Sequence, residues 1–154
     1  MPSVSKLLLH TARSGLLACL VWVAAPAAQA AEPSPVGLWK TIDDETGKAK
    51  SLVRIKQTDG VLTGKVEKIL TVGREDALCE ACEGDLKNQP IVGLTIIDGL
   101  KKADDQYEGG TILDPNNGKS YKCIVWLDDR GQLNVRGYIG LPLLGRSQVW
   151  LRAE

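Results

Sequence analysis

From residue 36 to the C-terminus, apolar and polar side chains alternate in short runs, and nearly every run ends in a dipeptide or tetrapeptide suited to a turn. A period of two, repeated this often and with little helical spacing, restricts the chain to antiparallel β-structure. Residues 51–57 show it plainly: Val53 and Ile55 share one side, Arg54 and Lys56 the other, as in a half-buried strand. Asp59-Gly60 then supplies a tight hairpin turn of the positive-φ kind. Residues 61–69 place Leu62, Gly64 and Val66 on one face and Thr63, Lys65 and Glu67 on the other. Further strands are expected at 36–43, 92–98, 106–113, 121–127, 133–139 and 146–152, with 99–105 as a linker. Between the fifth and sixth, Asp114-Pro115-Asn116-Asn117-Gly118 is a turn, because Pro fixes one φ angle and Asn-Gly tolerates positive ones.

Eight antiparallel strands with short connections suit an all-β, up-and-down barrel, whose closure removes the exposed edges an open sheet must protect. At that strand number the interior is filled by side chains or holds one small ligand. A two-sheet β-sandwich is the alternative, since strand count alone does not separate the two.

The first 30 residues read as an export signal outside the fold. Lys6 and Arg13 make a basic start, residues 16–25 an apolar run, and Ala28-Gln29-Ala30 a small-x-small cleavage site. A lipoprotein box at Leu16-Leu17-Ala18-Cys19 is the rival reading, with Cys19 lipidated. It sits near the start of the apolar stretch, however, where such a box belongs at the end. Removing 30 of 154 residues leaves 124 (residues 31–154), one domain large enough to bury a core. No later apolar run approaches the roughly 20 residues of a membrane helix. Two of the 19 basic residues and none of the 19 acids leave with the signal, so the net charge becomes −2. That interspersed balance argues against nucleic acid or an anionic membrane surface as main partner. The single histidine, His10, also leaves, which removes imidazole bases, Ser-His and Cys-His nucleophile pairs and histidine metal sites.

Several ordered motifs carry a resemblance over nearly all of the mature chain. Pro35-Val36-Gly37-Leu38-Trp39, Lys87-Asn88-Gln89-Pro90-Ile91-Val92-Gly93-Leu94 and Ile112-Leu113-Asp114-Pro115 come first. Gly118-Lys119-x-Tyr121, Arg136-Gly137-Tyr138-Ile139-Gly140 and Gly145-Arg146-x-x-x-Trp150 follow. Together they resemble the bacterial secreted family named domain of unknown function 2147. The resemblance implies an envelope location and a calycin-like barrel, and it supplies no catalytic residues. Gly37-Leu38-Trp39 also resembles the opening Gly-x-Trp of lipocalins, in which a first-strand Trp closes the barrel floor beneath a last-strand Arg. Pairing Val36 opposite Ala153 sets Trp39 opposite Trp150, and makes Arg152 the first candidate to stack on Trp39, with Arg146 second. Two tryptophans packing a sheet is the plainer reading of the same residues.

The one long interruption, residues 70–92, contains Cys79 and Cys82. Residues 74–83 form a candidate short helix, with Ala77, Leu78 and Ala81 on its apolar side and Gly84 as a stop. Three readings of the cysteines compete. A redox pair needs a stabilised thiolate, yet Glu75, Asp76, Glu80, Glu83 and Asp85 surround it and raise a thiol's pKa. A metal site would add Cys123 and an acid such as Glu80, but the second ligand pair of a strong zinc signal is missing. A structural disulfide suits an oxidising compartment, although it does not sit comfortably in a regular helix. Cys123 shares a strand face with Tyr121, Val125 and Leu127, as a buried, inert thiol would.

No catalytic constellation, metal site or cofactor is assigned. The expectation is a non-enzymatic, periplasmic or secreted barrel that binds a small, partly apolar ligand under a lid at 70–92. The alternative is an interaction module with a packed barrel, docking an envelope protein through an apolar patch around residues 139–144. A thiol or metal protein using Cys79 and Cys82 is third.

Overall fold

The computed structural model describes residues 33–154. The export signal, its cleavage after Ala30 and the Cys19 alternative lie outside the described residues. Eight strands follow in order: β1 (Gly37–Ile42), β2 (Ala49–Thr58), β3 (Val61–Ile69), β4 (Thr95–Ala103), β5 (Gln106–Asp114), β6 (Lys119–Leu127), β7 (Leu133–Tyr138) and β8 (Arg146–Arg152). Each pairs antiparallel with the next and β8 closes on β1, giving an all-β closed barrel with up-and-down order. A sandwich is not needed.

Alternation determines which side chains fill it. Trp39, Val53, Ile55, Leu62, Ile97, Leu100, Val125, Leu133 and Trp150 are all buried, and together they form the body of one apolar core. Asp59 and Gly60, with φ of 51° and 80°, make the β2–β3 hairpin as expected.

Two strand ends differ from expectation. β4 continues through Gly99 to Ala103 and turns at Asp104, whose φ is 51°. Gly99 (φ 76°) and Gly109 (φ 83°) instead serve as irregularities inside paired strands: β4 shifts register on β3 between Ile97 and Leu100, and β5 on β6 between Tyr107 and Gly110. Extra residues of this kind bend and coil a strand, which a small barrel requires. At the other end, β4 begins at Thr95 rather than Val92. Gly93 donates to the Val66 carbonyl and Val66 to that of Leu94, so 92–94 form a turn at the edge of the ladder.

The helix expected at 74–83 is absent. Residues 70–94 run as successive turns, with Leu78 bridged to Pro90 and a single helical turn at Gly84–Leu86. The backbone reasons are local. The Cys79 amide donates to Gln89 O at 2.8 Å and the Ile91 amide to Ala77 O at 2.9 Å, so groups a helix would pair internally are used across the loop.

The antiparallel order gives the barrel two ends. One, the floor, gathers the N-terminal segment 33–36, the hairpin turns at 59–60 and 104–105, and the C-terminus. The other gathers the loops 43–48, 70–94, 115–118 and 139–145.

Candidate functional site

The floor is a structural closure. Trp39 pairs with Arg152, and Lys40 with Leu151, a slip of two residues from the expected register that leaves Trp39 on the same face. The Arg152 guanidinium carbon lies 4.2 Å from the Trp39 ring centroid, a cation–π contact. The same guanidinium donates to Val36 O at 3.2 Å and Ser34 O at 2.8 Å. The Trp39 indole donates to Pro35 O at 2.7 Å, so ring and arginine together hold the N-terminal segment across the floor. A Cβ on Gly37, at φ 140°, would stand 2.7 Å from Arg152 Nη1, so a side chain there would displace the guanidinium. Trp150 is buried beside them. Arg146 does not join this closure. It starts β8, six residues and about 20 Å from Arg152, and forms an ion pair with Asp44 at the opposite end.

The cysteines resolve into one bridge and one thiol. Cys79 and Cys82 form a disulfide with a Cα–Cα distance of 5.3 Å, and both are buried. The Cys79 sulfur lies 3.5 Å from the Pro115 carbonyl oxygen. The loop backbone abuts the β5–β6 turn so closely that a Cβ on Gly118 would overlap the Ala81 carbonyl. The bridge thus docks the long loop onto the barrel, where Cys79, Cys82 and Leu94 join Ile96 and Leu113 in the core. Two sulfurs committed to each other leave Cys123 and the nearby acids without a ligand set, and no cluster of three metal-ligating side chains occurs among the described residues.

Replacing both Cys79 and Cys82 with serine is expected to cost about 2 kcal/mol, the chain-entropy value for so short a loop, readable as a lower urea midpoint. Cys123 is free and buried, and burial pushes its thiol up to about 12 from 9.0. Native protein should therefore resist iodoacetamide and take up one adduct after unfolding. The unfolded thiol ionises first, so this group's effect on stability is nil below pH 9 and grows unfavourable from there to about pH 12.

Side chains of one apolar core line the interior of the barrel. The two clefts that stand out among the described residues both lie outside it. One, of about 450 Å³, runs over the outer faces of β2–β4 between Lys56, Lys65, Thr63 and Thr95. Its wall includes Arg54, which bonds both Glu67 oxygens at 2.8 and 3.2 Å and holds that carboxyl below its ordinary range. The other, about 160 Å³, lies at the floor beside Trp126.

The opposite end carries the exposed apolar surface. Ile139, Leu141, Leu143 and Leu144 are 70%, 67%, 86% and 78% exposed, and Val72 of the long loop 92%. All five project from the same end. Their presentation is built: Arg136 of β7 donates from Nε to Pro142 O at 2.7 Å, from Nη2 to Leu143 O at 3.1 Å and from Nη1 to the Ser147 hydroxyl at 2.8 Å. Within the tip, a helical turn at Pro142–Leu144 pairs Leu144 N with Leu141 O and Gly145 N with Pro142 O. The leucines are legible in the sequence; the arginine clamp is not, because nothing in linear spacing shows that Arg136 turns back onto the next loop.

An eight-stranded barrel in sequential order, closed at one end by a first-strand Trp beneath a last-strand Arg, defines a lipocalin-like fold. The structure is similar to that of protein HP1028 from Helicobacter pylori, described as belonging to the lipocalin family. The TM-score is 0.67 at 20% identity, covering 77% of this chain and 82% of that one. The chain itself belongs to the family of uncharacterized proteins conserved in bacteria, DUF2147, whose model matches residues 37–152. No curated protein matches it significantly.

Proposed function

We propose that this chain is an exported, non-enzymatic docking module of the cell envelope, in which a filled barrel holds an apolar tip ready for a partner. The tip at residues 139–145 carries the proposal. Four large aliphatic side chains stand in solvent on a turn whose Pro142 and Leu143 carbonyls are already paired by Arg136, and exposed patches of this kind mark interaction sites. Export is supported by the leader pattern of residues 1–30 and by the disulfide, which persists in oxidising compartments. No helix among the described residues is long and apolar enough to cross a membrane.

The Leu143→Ser/Leu144→Ser double variant tests it. Both side chains lie outside the core, so its melting should match wild type. Retention of the tagged protein on envelope material should fall about 100-fold, as expected when two leucines lose their burial at an interface. Equal retention would contradict the proposal.

A small, partly apolar ligand within the barrel is the second reading, favoured by the lipocalin-like fold. It requires the long loop and the core residues near it to yield space.

A further inference from the structure

The docking surface at 139–145 has features that select among partners, and, resting on the docking proposal, we infer that it inserts into a zwitterionic phospholipid surface. The tip, Ile139-Gly140-Leu141-Pro142-Leu143-Leu144-Gly145, has seven residues and no charge. Side chains alone do not decide whether such a loop enters a lipid interface, because each unpaired backbone group taken out of water is costly. Here that cost is met in advance for the turn at residues 141–145, which forms the outermost part of the tip. Pro142 has no amide hydrogen, the Leu144 and Gly145 amides bond within the turn, and the Arg136 guanidinium reaches the Pro142 and Leu143 carbonyls.

The flanks fit the same environment. Tyr138 precedes the tip and Arg146 follows it, one an aromatic with a polar end and the other a long cation, both suited to the headgroup level. The composition of the tip is wrong for a protein hot spot, where Trp, Tyr and Arg dominate and Leu is under-represented. The shape also favours a flat partner. The loop bearing Val72 joins β3 to β4 and the tip joins β7 to β8, four strands apart in an eight-stranded ring, so apolar groups rise from opposite sides of one rim.

Charge selects the lipid. The rim loops 43–48 and 70–94 carry eight acids against three bases, and Asp44 pairs with Arg146, the cation nearest the tip in sequence. An anionic surface is repelled by this rim, and a neutral one is not.

Flotation of the purified mature chain with vesicles tests the inference. Even a myristoyl chain binds bilayers with only about 10⁴ M⁻¹, so lipid at about 1 mM is the working range. Wild type should float with phosphatidylcholine vesicles, less so when phosphatidylglycerol is added, and the Leu143→Ser/Leu144→Ser variant should lose about tenfold in bound fraction with its melting unchanged. Arg136→Gln, which removes the carbonyl clamp, should bind less than wild type while keeping all four aliphatic side chains. Absence of flotation, equal flotation of the leucine variant, or binding that grows with phosphatidylglycerol would each overturn it. A photo-crosslinking residue at position 143, used in intact envelopes, separates the two levels. Lipid adducts support the inference. Adducts to another protein or to a second copy, without flotation, overturn the lipid partner while docking stands. Neither adduct nor flotation overturns both.

Discussion

Replacing Trp39 with alanine should lower the stability of the barrel by about 3–5 kcal/mol, the range for removing a large buried aromatic. Trp39 is fully buried, and three separate interactions meet on it. Its indole satisfies the Pro35 carbonyl at 2.7 Å, its face carries Arg152, and its body fills the floor end of the core. Truncation leaves a cavity, an unpaired carbonyl and a guanidinium over empty space. Against a total of about 5–15 kcal/mol for a typical domain, that is a large fraction, and the melting point should fall by roughly 10 °C or more. Arg152→Ala should cost much less, about 1 kcal/mol, because the arginine is exposed and an exposed cation–π pair is worth about 0.5–1 kcal/mol. Urea unfolding of the two variants side by side checks the ordering. Equal losses would mean that Arg152, rather than the packed ring, holds the floor.

Gly110→Ala should be comparably damaging for a different reason. A Cβ on Gly110 would overlap the Asp98 carbonyl oxygen and stand 2.6 Å from Gly99 C and Leu100 N. All three are backbone atoms in the neighbouring strand, so no side-chain rotation relieves the clash. Either β4 and β5 separate or the strand bends elsewhere, at a cost of about 3 kcal/mol or more. Gly60→Ala is the control. Gly60 has φ 80° and nothing within 4 Å of a Cβ, so alanine there meets only backbone strain, about 1 kcal/mol. A Gly110 variant no less stable than the Gly60 variant would show that β4 and β5 are not held at this distance.

Those two positions also show what is legible in the sequence. The Val53/Ile55 and Leu62/Val66 alternation, with Asp59-Gly60 between them, is local, and the hairpin follows from it directly. Closure of the barrel needs all eight strands at once; strand count and short turns make it the first expectation but leave the two-sheet sandwich open until the β1–β8 pairing is seen. Gly99 and Gly110 are different. A glycine in a linker and a glycine that lets two backbones touch look identical until the partner strand is known, which is why the sequence pattern ends this strand at Asp98 while β4 runs on to Ala103. The absent helix at 74–83 has the same origin, because the Leu78–Pro90 bridge joins residues too far apart for periodicity to register. In the tip, leucine exposure could be read from composition, whereas the Arg136 clamp that shapes it depends on a fold back from β7.

The claim that joins these observations is that the barrel is a filled scaffold working through its outer end. Native intact-mass measurement of the purified protein, made on wild type and on Leu143→Ser/Leu144→Ser, tests it most directly. The account predicts one disulfide, one thiol alkylated only after unfolding, and no small molecule retained by the leucine variant. A stoichiometric organic mass held equally by both forms would place a ligand inside the barrel and contradict it.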